Sequence, residues 1–178
     1  MKFNQIILEK LGVLFQKCNL NIIEQRDNYL KLLSKYLVII IAHNQLENSN
    51  TIWLGRNDDK MDKVEVDNKV LKLFFGSDLK LSDVSVEIFV KNLVLFFENE
   101  AQPLLRGDID RINKLEEFDL ERSQKYTQGL LDKQSLVAAN KAWDEGDYRE
   151  FIKLIDETNK DELPSSYQLK YKIAVQKL

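Results

Sequence analysis

Near the start of the chain Ile7, Leu11, Leu14, Phe15 and Cys18 recur at spacings of four, three, one and three, which predicts one buried helical face. Gly12 lies off that stripe and weakens the helix only locally. From Leu20 the period shortens. Leu20 to Arg26 and Tyr29 to Leu33 read as two strands around the polar turn Asp27-Asn28. Ser34-Lys35 then leads into Tyr36 to Ala42, a continuous β-branched run that predicts a central strand covered on both faces. Thr51 to Leu54 resumes the sheet after a polar loop from Asn44 to Asn50. Connections this short join only antiparallel neighbours, so a helix followed by a meander of about four strands is expected.

Beyond Asp67 the pattern turns helical. Asp67 is placed to cap a short segment, Asn68 to Phe75, that Gly76 ends. Ser82 or Asp83 opens the next, whose apolar set (Val84, Val86, Ile88 to Val90, Leu93 to Phe97) runs nearly all round. Such a helix should lie buried on every side, between the sheet and the later helices. The β-branched stretch Val84 to Val90 leaves a strand as the alternative. Ile109, Ile112 and Leu115 begin another helical pattern, blurred at Phe118 to Arg122, with a further helix up to Gly129. Leu136, Ala139 and Trp143 form a stripe ended by Gly146. Asp147 and Glu150 stand like a capping box before Phe151, Ile152 and Ile155. Pro164 starts a last helix with Tyr167, Tyr171, Ala174 and Leu178 on one face. The fold class is therefore α+β: an N-terminal helix and antiparallel meander (1–66) packed against a C-terminal antiparallel helical array (67–178). No composition shift marks a linker, so residues 1–178 are expected to form a single domain.

Composition narrows the chemistry. The 178 residues carry 26 Lys plus Arg against 29 Asp plus Glu, a net charge of −3, which argues against a general nucleic-acid binder. One cysteine and one histidine leave no disulfide framework and no Cys/His zinc site. Met1 to Leu11 lacks the apolar core of a signal peptide, and Tyr36 to Ala42 falls far short of the roughly 20 residues that span a bilayer. A free Cys18 fits a reducing cytoplasm, where it serves as a small core hydrophobe. No membrane association is expected.

Motifs for catalysis are missing. The six glycines are never within five residues of one another, so neither a dinucleotide fingerprint nor a phosphate loop exists. His43 follows the central strand without an evident orienting partner and reads as a half-buried strand-end residue. Trp53 and Trp143 fall on apolar stripes and read as core anchors rather than base-stacking platforms. Asp58, Asp59, Asp62, Glu65 and Asp67 cluster near Lys63 and Lys69, as a metal-dependent hydrolase or nuclease would need. The same cluster reads more simply as a solvated turn. Neither a catalytic residue, a metal site nor a cofactor is assigned.

Charge distribution is the feature that stands out. Glu98 to Glu121 contains eight acids against three basic residues, and Asp144 to Glu162 repeats that ratio. Glu116, Glu117, Asp144, Glu145 and Glu157 are the candidate partner-binding residues if the two stretches merge into one negative surface that steers a basic partner.

Lys141 to Ile155, Leu163-Pro-Ser-Ser-Tyr167 and Lys170-Tyr-Lys-Ile-Ala174 resemble the helical end of small, acidic bacterial proteins of the toxin–immunity type. The turn Ala142-Trp-x-x-Gly-Asp-Tyr148 also looks like a single tetratricopeptide-type hairpin. The resemblance covers about a fifth of the chain and implies packing aromatics, a glycine cap and a proline start, but no functional residue. It implies a non-enzymatic protein-binding module, most concretely an immunity protein that blocks a basic toxin domain with an acidic helical surface. The alternatives are the metal-dependent hydrolase or nuclease of the Asp58–Asp67 cluster and a structural, self-associating subunit.

Overall fold

The computed structural model describes residues 2–58 and 63–178. Helix α1 (Phe3–Lys17) leads into β1 (Asn21–Arg26), β2 (Tyr29–Leu33), β3 (Leu37–Asn44), β4 (Ser49–Arg56) and β5 (Val64–Glu65). The strands form one antiparallel sheet in sequence order, β1 to β5. Local chemistry sets the turns. The Ser34 hydroxyl accepts the Leu37 N–H at 3.0 Å, and Asn44 Oδ1 accepts the Leu46 N–H at 3.0 Å. Asn48 takes the left-handed conformation (φ 49°) that asparagine tolerates better than most residues. β5, which the sequence pattern misses, is two residues long and too short to show a period.

Helix α2 (Asn68–Val70) continues into a π-helical turn, Leu71–Phe75. Asp67 caps it by accepting the Val70 N–H at 2.7 Å, and Gly76 ends it at φ 68°. Then follow α3 (Val86–Glu98), α4 (Gln102–Leu105), α5 (Ile109–Asp144), α6 (Tyr148–Asp156), a 3₁₀ turn (Lys160–Glu162) and α7 (Ser165–Lys177). Val86 to Val90 is thus helical, not strand. The helix starts later than Ser82 or Asp83 because Asn68 pins the preceding chain. Its Oδ1 accepts the N–H groups of Leu81 and Ser82 at 2.8 and 3.0 Å, so the cap passes to Ser85.

The chain divides into two compact units, Met1–Asp119 and Leu120–Leu178, each with its own hydrophobic cluster. In the first, Leu30, Leu32, Ile39, Ile41, Ile52 and Leu54 bury one sheet face beside Ile7, Leu11 and Phe15 of α1 and Phe89, Leu93, Phe96 and Phe97 of α3. Burying each such side chain is worth about 1.5–3 kcal/mol. Sheet and helices 67–119 therefore share one core.

Three elements are less buried than their sequence pattern predicts. β3 is central, but its outer face is only partly covered: Val38 is buried there, whereas Ile40 and Ala42 are half-buried. Trp53 is paired with Ile40 across that outer face and is half-buried rather than a core anchor. α3 is not buried all round either: Ile88 and Leu95 remain exposed, because α1 and α4 cover only part of it.

In the second unit Ala139, Ala142, Phe151, Ile155 and Ala174 are buried together. Trp143 packs half-buried on that cluster, edge-on to Tyr148 and Phe151 at 5.4 and 5.3 Å. Gly146 turns the chain at φ 78°, and Asp147 caps α6 by accepting the Glu150 N–H at 3.0 Å. Tyr167, Tyr171 and Ala174 face the cluster as their spacing predicts, whereas Leu178 is exposed. The expected breaks at Phe118–Arg122 and Gly129 do not occur: α5 is one helix of 36 residues. A lone glycine costs a helix only about 1 kcal/mol, and no proline interrupts the run. A Gln128–Asp132 side-chain hydrogen bond of 2.8 Å supports the turn that holds Gly129.

Candidate functional site

The five acidic residues singled out from the sequence fall in both units. Glu116 is not on an exposed face. It is 3% exposed, and its Oε2 lies 2.8 Å from Arg56 Nε in an ion pair while Oε1 accepts the Arg56 backbone N–H at 2.9 Å. It ties α5 to the end of β4, and its place among the exposed acids is withdrawn. Gly55 leaves room for Lys63 rather than for Glu116: a Cβ there would meet Lys63 Cδ at 2.6 Å, while Glu116 Oε1 would lie at an ordinary contact distance of 3.5 Å. Glu117, the next residue along the helix, is exposed on the first unit.

Asp144, Glu145 and Glu157 are exposed on the second unit. Asp144 ends α5, Glu145 follows it in the turn, and Glu157 follows α6 at its C-cap. Glu145 has only a loose i,i+4 contact with Lys141 at 3.8 Å. The nearby lysines are engaged elsewhere. Lys153 pairs with Glu150 at 3.2 Å, and Lys160 pairs with Asp156 at 2.8 Å. Asp156 also accepts the Tyr171 hydroxyl at 2.7 Å, and these two bonds, Lys160 first, hold its carboxyl below the ordinary aspartate range. On α7, Lys170 sits 5.3 Å from the Trp143 ring centre and Lys177 sits 4.5 Å from that of Tyr148. Positive charge is thereby held over the aromatic cluster, while the α5–α6 turn carries Asp144, Glu145 and Asp147.

Asp59 and Asp62 of the Asp58–Asp67 cluster lie outside the described residues. Of the others, Asp58 lies 3.7 Å from Arg56 Nε, and Asp67 is committed to capping α2. Among the described residues no three His, Cys, Asp or Glu side chains come together as metal ligands. Burial, partly offset by Arg106, raises the Cys18 thiol and keeps it protonated and weakly nucleophilic at neutral pH.

His43 has an orienting partner that the sequence did not reveal. In the β3–β4 register it stands opposite Asn50, and its Nδ1 lies 3.0 Å from Asn50 Oδ1. Asn50 is buried, and its amide nitrogen donates to the Val84 carbonyl at 2.9 Å, which fixes the amide orientation. Nδ1 must then carry the proton, leaving Nε2 as the acceptor. Phe3 stacks on the ring at 5.4 Å. The imidazole borders a polar hollow of about 410 Å³ that Lys2, Asp27 and Glu87 also line. As the only histidine, His43 gives a single pair of ring ¹⁵N resonances, and these should show the Nδ1–H tautomer at high pH. An Nε2–H pattern would contradict the Asn50 bond.

No family model, curated protein or solved structure matches the chain. Among the described residues no helix is long and apolar enough to cross a membrane.

Proposed function

We propose that the chain is a non-enzymatic protein-binding module that meets a basic partner through the second unit. In its most concrete form it is an immunity protein, with the acids covering the functional surface of a toxin domain. The exposure of Asp144, Glu145 and Glu157 while Lys153, Lys160, Lys170 and Lys177 are held by other side chains supports this reading. Exposed charges add little to folding but steer encounter. Glu117 lies on the first unit and is left out of this surface.

The direct test is co-expression with the product of the adjoining gene. A complex that survives gel filtration and suppresses that product's activity is the expected result. Two proteins that elute separately, with the activity unchanged, would contradict it.

A further inference from the structure

The first unit holds an apolar groove between α1 and α3. The two helices run parallel, since Phe3 meets Phe89 near their starts and Phe15 meets Phe97 near their ends, with ring centres 6.1 and 5.7 Å apart. Between them Ile6, Val90, Val94 and Leu95 line a hollow of about 450 Å³. Its only charged residues are Lys10 from α1 and Glu87 and Lys91 from α3.

Two observations define what fits there. The first is the extent of the apolar surface. Val13, on the same face of α1 as Ile6 and Lys10, is 66% exposed, and Ile88, beside Leu95 on α3, is 49% exposed. An alkyl chain lying in the hollow would leave both ridges wet, whereas a helix laid along it would cover them. The second is charge. Each flanking helix presents a lysine. Lys10 has only an exposed contact with its neighbour Glu9 at 3.1 Å, and Lys91 has no ion pair among the described residues. Glu87, four residues before Lys91 on the same helix, is not ion-paired with it among the described residues. Its carboxyl is held by its own backbone N–H and the Ser85 hydroxyl at the start of α3, which keep it below the ordinary glutamate range.

We propose that this groove docks an amphipathic helix of a protein partner, with apolar residues filling the groove and carboxylates on both flanks meeting Lys10 and Lys91. The 13-residue α3 is about 20 Å long and matches a guest of about four turns. This surface is independent of the acidic one on the second unit, so either can fail alone.

The test uses fluorescence anisotropy of the full chain with two labelled peptides of about 14 residues. Both carry the same leucine stripe, flanked by Glu in one and by Lys in the other. The Glu peptide should bind at least about tenfold more tightly than the Lys peptide. Leu95→Glu, and Lys10→Glu combined with Lys91→Glu, should each weaken the Glu peptide about tenfold or more, with thermal midpoints within about 2 °C of wild type. Should Leu95→Glu lose its fold, Val13→Glu at the more exposed ridge gives the same reading. Equal affinity for the two peptides, no binding of either, or binding unmoved by Val13→Glu would overturn the proposal. Displacement of the bound Glu peptide by stoichiometric dodecanoate would also overturn it, in favour of an acyl-chain site.

Discussion

Replacing Glu116 with alanine should lower the stability of the protein by about 2–4 kcal/mol. Both carboxylate oxygens are in use: one accepts the Arg56 backbone N–H and the other pairs with its guanidinium. Removing them strands a backbone donor at the end of β4 and leaves the Arg56 guanidinium, among the described residues, with only its longer, 3.7 Å contact to Asp58. The Arg56 side chain is 30% exposed, so water recovers part of the loss, and the cost falls below that of breaking a wholly buried pair. Glu116→Gln keeps an oxygen that can accept the Arg56 N–H and should restore a sizeable part. Urea denaturation of the three proteins measures the series. An alanine variant as stable as wild type would return Glu116 to the exposed acids.

Phe151→Ala should cost about 3–5 kcal/mol, the range for a large aromatic removed from a closed site. The side chain is fully buried between residues of α5, α6 and α7, and the cluster around it is small, with three alanines among its five buried members. Domains hold only about 5–15 kcal/mol in all, so loss of the second unit's helical signal by circular dichroism is the expected result at mild denaturant. Trp143→Ala should cost about half as much, because the indole is half-buried and one face meets Lys170 rather than the cluster. If Trp143→Ala proved the more damaging, the indole and not Phe151 would be the anchor of the unit.

The sequence pattern carries the α+β class well, for identifiable reasons. The α1 stripe, the short polar turns and the caps at Asp67, Gly76, Gly146 and Asp147 are local signals, and all four caps are found where the residues place them. What local pattern misses depends on distant contacts. Asn68 delays the start of α3 through bonds to residues 13 and 14 positions away. Glu116 sits 60 positions from Arg56, and nothing in an acid-rich stretch marks which acid turns inward. His43 and Asn50 meet only once the β3–β4 register is known, and Asn50 reads as loop from its polarity alone. The α1–α3 groove is hidden for the opposite reason: only the packing shows which apolar residues of the two helices, among them Ile6, Val13 and Ile88, stay uncovered.

The most direct test of the proposed function is the association rate with the adjoining gene product, followed by stopped flow across a salt series. Asp144→Lys with Glu157→Lys should slow association severalfold while leaving the denaturation midpoint in place. The wild-type rate should fall as salt rises toward 0.15 M, where the Debye length is about 8 Å. A rate independent of salt and unmoved by the double reversal would contradict the proposal that the acids of the second unit form a binding surface.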